Sequence, residues 1–146
     1  MSNTAPNFTK NGIVGSAYSI AANTSSSGTG VIGTDMFLVA LGGANGTWIE
    51  RVKILVQATT PTSTTLTVGR LYISTQAAGA TTADNTYLIH EQVLPVVAAD
   101  SATIAQNIYE IACNFRLPAG YTILFSTHAA PVANTNWRAT AIGGDY

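Results

Sequence analysis

WIERVKILVQA, residues 48–58, sets Val52, Ile54 and Val56 at every second position, with Arg51 and Lys53 between them. A period of two points successive side chains to opposite faces of an extended chain, so the stretch predicts a strand with one apolar and one charged face. Nothing elsewhere reads as a helix of useful length. Alternating runs recur instead, broken by Gly, Pro, Asn and Asp clusters about every ten to fifteen residues. That is the pattern of an all-β sandwich or barrel.

Upstream, GIVGSAYSIAA, residues 12–22, predicts the first strand, followed by a flexible TSSSGTG. MFLVAL, residues 36–41, is continuously apolar, as a strand covered on both faces would be. Downstream, TLTVGRLYIST changes apolar parity between Leu66 and Val68 on one side and Leu71 and Ile73 on the other. A one-residue slip at a glycine predicts a β-bulge at Gly69. QAAGATTADN is too long for a tight hairpin and reads as a contact loop. TYLIHEQVLPV, 86–96, and TIAQNIYEIACNF, 103–115, are further strands, the second alternating through Tyr109, Ile111, Cys113 and Phe115.

Pro118, Ala119 and Gly120 have turn chemistry and predict a short link between adjacent antiparallel strands. The last strand begins at Trp137. Alternation places Trp137, Ala139 and Ala141 on one face and Arg138, Thr140 and Ile142 on the other. Gly143 and Gly144 then predict a sharp turn at the sheet edge, leaving Asp145 and Tyr146 against the fold or a neighbour. About eight strands with several long crossings suit an antiparallel, jelly-roll-like β-sandwich better than a closed up-and-down barrel. Residues 1–11 are polar and aperiodic, an extended N-terminal arm ahead of a single domain over 12–146.

Composition narrows the function classes. The chain has 146 residues, enough for one domain with its own core, and only 9% of them are charged, against roughly 25% in a typical soluble domain. Thr, Ser, Asn and Ala replace the charge. Such a surface is poorly protected against association, so much of it is expected to meet other protein. The six basic residues are scattered and the net charge is −1, which argues against a nucleic-acid partner. Arg51 and Lys53 form at most a small stripe on a solvated strand face. No apolar run is long enough to span a membrane. No basic, then apolar, leader opens the chain either, so no secretion signal is expected. Cys113 stands alone, in alternation with core-type neighbours, and reads as packing rather than chemistry.

The motifs that can carry chemistry are weak. GTGVIG, residues 28–33, spells G-x-G-x-x-G, but a serine run precedes it and MFLVAL follows, where a phosphate-binding turn needs a strand and then a helix. It reads as a flexible loop. His90 and Glu91 are adjacent and face opposite ways on a strand, so they cannot share one site. Two histidines with one cysteine give a poor metal signal. The seven acidic residues are spread about one per segment, and no pair stands out as a general acid and base. No catalytic, cofactor-binding or metal-binding residues are nominated. Trp48 and Trp137 open strands and most tyrosines lie within them, so core packing explains these aromatics better than a sugar-stacking row.

The order of several short motifs is more telling than any one of them. Ile49 to Val52, Leu88 to Glu91, the LPAG turn at Leu117 to Gly120 and the closing Gly143 to Tyr146 resemble, in the same order, small virion proteins of tailed bacteriophages. The resemblance covers about residues 47–146. It departs from the family pattern at Val52, where isoleucine is usual. It implies a structural component of the phage particle: a capsid decoration or cement subunit, with the major capsid protein as its partner and a homotrimer as its state. A tail or fibre component with a receptor- or carbohydrate-binding role is the alternative. No catalytic residues come with the resemblance. The expected contacts lie in the arm at Asn7, Phe8 and Lys10, at Asp145 and Tyr146, and in the loops at 23–34 and 76–85.

Overall fold

The computed structural model describes residues 11–58, 62–99 and 108–146. Residues 1–10 of the expected arm, with Asn7, Phe8 and Lys10, lie outside the described residues, as do 59–61 and 100–107, while Asn11 already belongs to the first strand. Eight longer strands carry the fold: β1 (Asn11–Tyr18), β3 (Phe37–Leu41), β4 (Thr47–Ala58), β6 (Thr67–Ser74), β8 (Thr86–Leu94), β10 (Ile108–Leu117), β11 (Thr122–Thr127) and β12 (Thr135–Asp145). Four short ones complete the described set: β2 (Gly30–Ile32), β5 (Thr62–Ser63), β7 (Gly79–Thr81) and β9 (Ala98–Ala99).

The longer strands form two antiparallel sheets in the orders β1-β12-β4-β10 and β3-β11-β6-β8. Numbered among themselves, these run 1-8-3-6 and 2-7-4-5, the jelly-roll arrangement of two interlocked Greek keys. The all-β sandwich expected from alternation is therefore the observed architecture. Ile49, Val52, Ile54 and Val56 of β4 and Trp137, Ala139 and Ala141 of β12 face Leu71, Ile123 and Phe125 of the second sheet. Each large aliphatic or aromatic side chain so buried contributes about 1.5–3 kcal/mol. Trp137 also meets the Tyr109 ring, with centroids 6.3 Å apart and planes tilted by 54°.

The second sheet has an inner core on one face and a smaller cluster on the other. Met36, Tyr72 and Leu124 are fully buried on its outer side, with Ile32 packed against them. The chain between β1 and β3 is pinned there by polar bonds. The Tyr72 hydroxyl donates to the Ser25 carbonyl at 3.1 Å, and Arg70 Nη1 donates to the Asn23 carbonyl at 3.2 Å. This cover explains why every residue of β11 is buried. It also corrects the reading of MFLVAL: β3 is an edge strand with Leu38 and Leu41 exposed. The strand covered on both faces is TILFST, whose Thr and Ser residues conceal the burial in its composition.

Three further expectations are corrected. No bulge sits at Gly69, which pairs in unbroken register with Thr127 on one side and Gln92 on the other. Leu66 is exposed, while Leu71 and Ile73 line the core. Gly69 takes an inner position without a side chain because a Cβ there would come within 2.8 Å of Leu94. The bulge lies in the neighbouring strand at Ile89, since Leu71 pairs with His90 and Tyr72 with Leu88. The LPAG link does not join paired strands either: β10 and β11 belong to opposite sheets. The turn instead crosses the sandwich, with Gly120 at φ 77° and Tyr121 N–H donating to the Pro118 carbonyl at 3.2 Å.

Finally, Gly143 and Gly144 make no turn. They continue β12, which runs between β1 and β4 in the middle of its sheet. The register shifts there, Ile142 pairing with Arg51 and Gly143 with Ile49, so that Glu50 is the extra residue. A Cβ on Gly143 would lie 1.9 Å from the Trp48 carbonyl oxygen. Glycine is required by close backbone approach rather than by a bend.

Candidate interaction surface

The two outward faces of the sandwich differ. The second sheet is covered by the chain's own residues, whereas the first presents a bare face. Across it, cross-strand neighbours run Tyr18, Arg138, Leu55 and Ile108, then Ser16, Thr140, Lys53 and Glu110. Arg51 meets both Glu50 and Glu110 at 3.2 Å, and Lys53 meets Glu110 at 3.6 Å. The stripe read in the sequence is thus a neutralised network on a half-exposed strand face, where each pair contributes little. Arg138 is different. Its guanidinium carbon lies 5.4 Å from the Tyr18 ring centroid and Nη1 donates to the Ser16 hydroxyl at 3.4 Å. Among the described residues no carboxylate reaches it.

At that end of β1 the surface becomes concave. Tyr18, Ile20, Ile32, Gly33, Phe37 and Leu38 line an apolar groove of about 220 Å³. Three of them are well exposed: Tyr18 at 45%, Ile20 at 57% and Leu38 at 37%. Close approach of β1 to β3 builds this corner. Gly15 makes it possible, because a Cβ there would lie 2.0 Å from the Val39 carbonyl oxygen. The groove's far wall comes from β2, which pairs with β7 through Gly30 to Thr81 and Ile32 to Gly79. The two loops expected to make contacts, 23–34 and 76–85, are therefore joined to each other as a short ribbon.

The opposite edge of the second sheet, strand β8, also exposes apolar side chains. Tyr87, Leu88 and Ile89 are consecutive on edge strand β8 and 54%, 38% and 40% exposed. Leu88 lies on the outer side opposite Tyr72 and Tyr87 on the inner side opposite Ile73, while Ile89 is the extra residue at the bulge; the edge position of β8 leaves all three exposed. The Tyr87 hydroxyl donates to the Asp84 carbonyl at 2.8 Å, and the Asp84 side chain has no cationic partner among the described residues.

Of the residues nominated from sequence, Asp145 and Tyr146 are held by the protein's own fold. Asp145 accepts a hydrogen bond from the Thr47 hydroxyl. Tyr146 lies under Arg116, whose guanidinium carbon is 5.2 Å from the ring centroid, and its N–H donates to the Gly46 carbonyl at 3.3 Å. Both stay partly exposed. His90 and Glu91 face opposite ways: Glu91 accepts from Arg70 Nε at 2.7 Å on the outer side, and His90 pairs with Leu71. G-x-G-x-x-G is not a flexible loop: it contains β2, which pairs with β7, and is followed by an edge strand rather than a helix. Among the described residues no three His, Cys, Asp or Glu side chains gather as a metal site needs. Burial pushes the Cys113 thiol above its ordinary pKa, against a smaller opposing effect of a backbone hydrogen bond at Val52.

The groove and the β8 strip were not legible in the sequence. The groove's residues come from three separate segments that only the fold brings together, and the exposure of the consecutive Tyr87, Leu88 and Ile89 depends on the edge position of β8 and its bulge.

No protein-family model matches the chain, and no curated protein matches it. Among solved structures, the chain is similar to one described as PRD1 vertex protein P5, at 13% identity and a TM-score of 0.36, over 94% of this chain and 99% of that one.

Proposed function

We propose that the protein is a non-enzymatic structural subunit of a phage virion, a decoration or cement protein that binds the outer capsid surface as a homotrimer and ties neighbouring capsid subunits together. The observation that carries the reading is the character of the surface. Fourteen large apolar side chains among the described residues are exposed, and several group into a groove and an edge strip rather than lying scattered. Grouped apolar surface with little charge marks protein contact. Burying it against a partner costs little charge desolvation. The motif order shared with small virion proteins supplies the phage context, and a rigid jelly roll supplies a support for the loops.

The arm residues Asn7, Phe8 and Lys10, together with the partly exposed Asp145 and Tyr146, are the proposed contacts with the major capsid protein. An arm that orders only on assembly would act as a latch, at an entropic cost met at that moment.

Mass spectrometry of purified particles tests the reading. The expected result is a copy number that scales with capsid subunits; absence from particles overturns it. Heating particles with and without the protein separates cementing from mere decoration, since reinforcement raises the capsid melting temperature.

One observation favours the second reading, a carbohydrate- or receptor-binding role at a tail or fibre. Tyr87 is an exposed aromatic beside a loop aspartate, Asp84. Glycan-array binding by the isolated protein, lost in Tyr87→Ala, together with a few copies per particle, would establish it instead.

A further inference from the structure

We infer that the bare outward face of the first sheet is a docking surface for an acidic surface of a partner protein, gripped at its two ends by Arg116 and Arg138. The inference deepens the reading above and rests on it only for the identity of the partner.

Charge distribution is the first argument. Among the described residues, four of the five Lys and Arg side chains, Arg51, Lys53, Arg116 and Arg138, stand on this face, against two carboxylates, Glu50 and Glu110. The other described carboxylates lie elsewhere: Asp35 and Asp84 in loops of the second sheet, Glu91 on its outer side, and Asp145 turned to the Thr47 hydroxyl. Arg70 is the one described Lys or Arg away from the face, and it is paired with Glu91. A chain of net charge −1 thus collects its cations on one side. That asymmetry turns this face toward an acidic surface during encounter.

The two end arginines carry the second argument. Arg51 and Lys53 are neutralised by Glu50 and Glu110 in the middle of the face. Arg116 and Arg138 form no ion pair among the described residues. Each lies over a tyrosine, Arg116 over Tyr146 at 5.2 Å and Arg138 over Tyr18 at 5.4 Å. Arg138 Nε is buried without a hydrogen-bond partner, and Arg116 Nη2 donates to the Asn45 carbonyl. Stacking on a ring holds the guanidinium plane and leaves donors at its edge, the fork that binds a carboxylate. Arg138 pairs with Leu55 and Arg116 with Trp48. At ~3.3 Å per residue and ~4.8 Å between strands, the two backbone positions are roughly 25 Å apart. The partner therefore presents carboxylates at about that spacing.

Area is the third. Four strands ~4.8 Å apart and about eight residues long make a face of roughly 500 Å², against about 800 Å² on each side of a stable interface. One face holds weakly, and several joined in an oligomer hold far more tightly. Val14, Tyr18 and Ile108 are exposed on the same face and supply apolar contact between the charges. Another copy is a poor face-to-face occupant, because two cation-rich faces repel. Nucleic acid fits no better, since Glu50 and Glu110 stand in the centre where phosphates would lie.

The test uses the full chain on two probes: particles made without the protein, and a carboxylate cation-exchange resin at neutral pH. Wild type should bind both, more weakly as salt rises. Arg116→Glu and Arg138→Glu should each weaken particle binding about tenfold or more, and together abolish it and the retention on resin. Leu66→Glu, which adds a carboxylate outside this face, should leave particle binding unchanged. Thermal melts check folding, and Arg138→Gln replaces Arg138→Glu where the latter does not melt cooperatively. Arginine variants that bind particles as wild type does, or more tightly, overturn the inference. So does equal loss in Leu66→Glu. Retention on immobilised duplex DNA at salt that releases the resin would mean a nucleic-acid partner and overturns it too. Loss of the oligomer in native mass spectrometry of either arginine variant also overturns it, by showing that the face meets another copy. Wild type that ignores particles but is held by the resin through the arginines refutes the virion reading and leaves the face standing. Wild type that binds particles but passes through the resin refutes the face alone.

Discussion

The Thr47 hydroxyl donates a hydrogen bond to the carboxylate of Asp145, 98 residues further along the chain. The same hydroxyl oxygen accepts from Gly43 N–H at 2.9 Å. One fully buried side chain thereby ties the end of β12 to the start of β4 and to the turn before it.

Thr47→Val keeps the shape and removes both bonds. It strands the Gly43 N–H and leaves Asp145 without its donor, which costs about 1–3 kcal/mol. Thr47→Ser should recover most of the loss. Urea unfolding of the three proteins measures this, and a valine variant as stable as wild type would show that water replaces the hydroxyl.

Removal of residues 137–146 should abolish folding, because β12 lies between β1 and β4: its loss strips β1 of its only neighbour in the sheet and opens a long edge on β4 in the middle of the core. Trp137→Ala should cost about 3–5 kcal/mol, typical of a large aromatic lost from a core. Removal of residues 1–10, by contrast, should leave the melting transition intact and weaken only assembly. A soluble, cooperatively melting truncation lacking 137–146 would overturn the central place given to this strand.

The faces of single strands were legible because burial on one side imposes a period of two. Val52, Ile54 and Val56, and likewise Trp137, Ala139 and Ala141, lie inward as alternation requires. Strand pairing was not legible, since a short turn such as Pro118 to Gly120 looks the same whether it closes a hairpin or crosses between sheets. Glycines misled for a related reason. Gly69 and Gly143 answer to atoms remote in sequence, Leu94 and the Trp48 carbonyl, and not to local bends. One clue was available at the bulge beside Glu50: Ile49 and Val52 are three apart, yet both are fully buried. The groove had no such signal, because its lining residues share neither a strand nor a period.

Tyr72 should make stability fall in alkaline solution. Burial raises its pKa above the ordinary tyrosine value, opposed in part by the Ser126 hydrogen bond and by Arg70. A raised pKa in the folded state means that the unfolded chain gives up its proton first as pH rises. The contribution is fully present below the ordinary value of about 10 and is lost as pH climbs toward the folded value. Melting temperatures between about pH 9 and about pH 11 should therefore drop more for wild type than for Tyr72→Phe. Parallel curves would mean that other tyrosines carry the alkaline transition.

Gly12 and Gly15 lie on the same edge strand and provide a matched test of the β1–β3 corner. A Cβ on Gly12 meets nothing closer than 4.0 Å, whereas one on Gly15 would lie 2.0 Å from the Val39 carbonyl oxygen and 3.4 Å from the Ala40 Cα. Replacing a glycine by alanine reduces the freedom of the unfolded chain and, where the site has room, stabilises by about 0.4–1 kcal/mol. Gly12→Ala should show that small gain or no change. At Gly15 the same entropic gain is opposed by a backbone clash that no rotamer change relieves. Overpacking of this kind costs about 1–3 kcal/mol, so the net effect should be destabilising. The displacement must also push β1 away from β3 and open the groove between Tyr18 and Leu38. Gly15→Ala should therefore lower the melting temperature, while Gly12→Ala raises it slightly or leaves it unchanged. Equal effects from the two substitutions would mean that the corner yields freely and that close approach of the strands does not shape the groove.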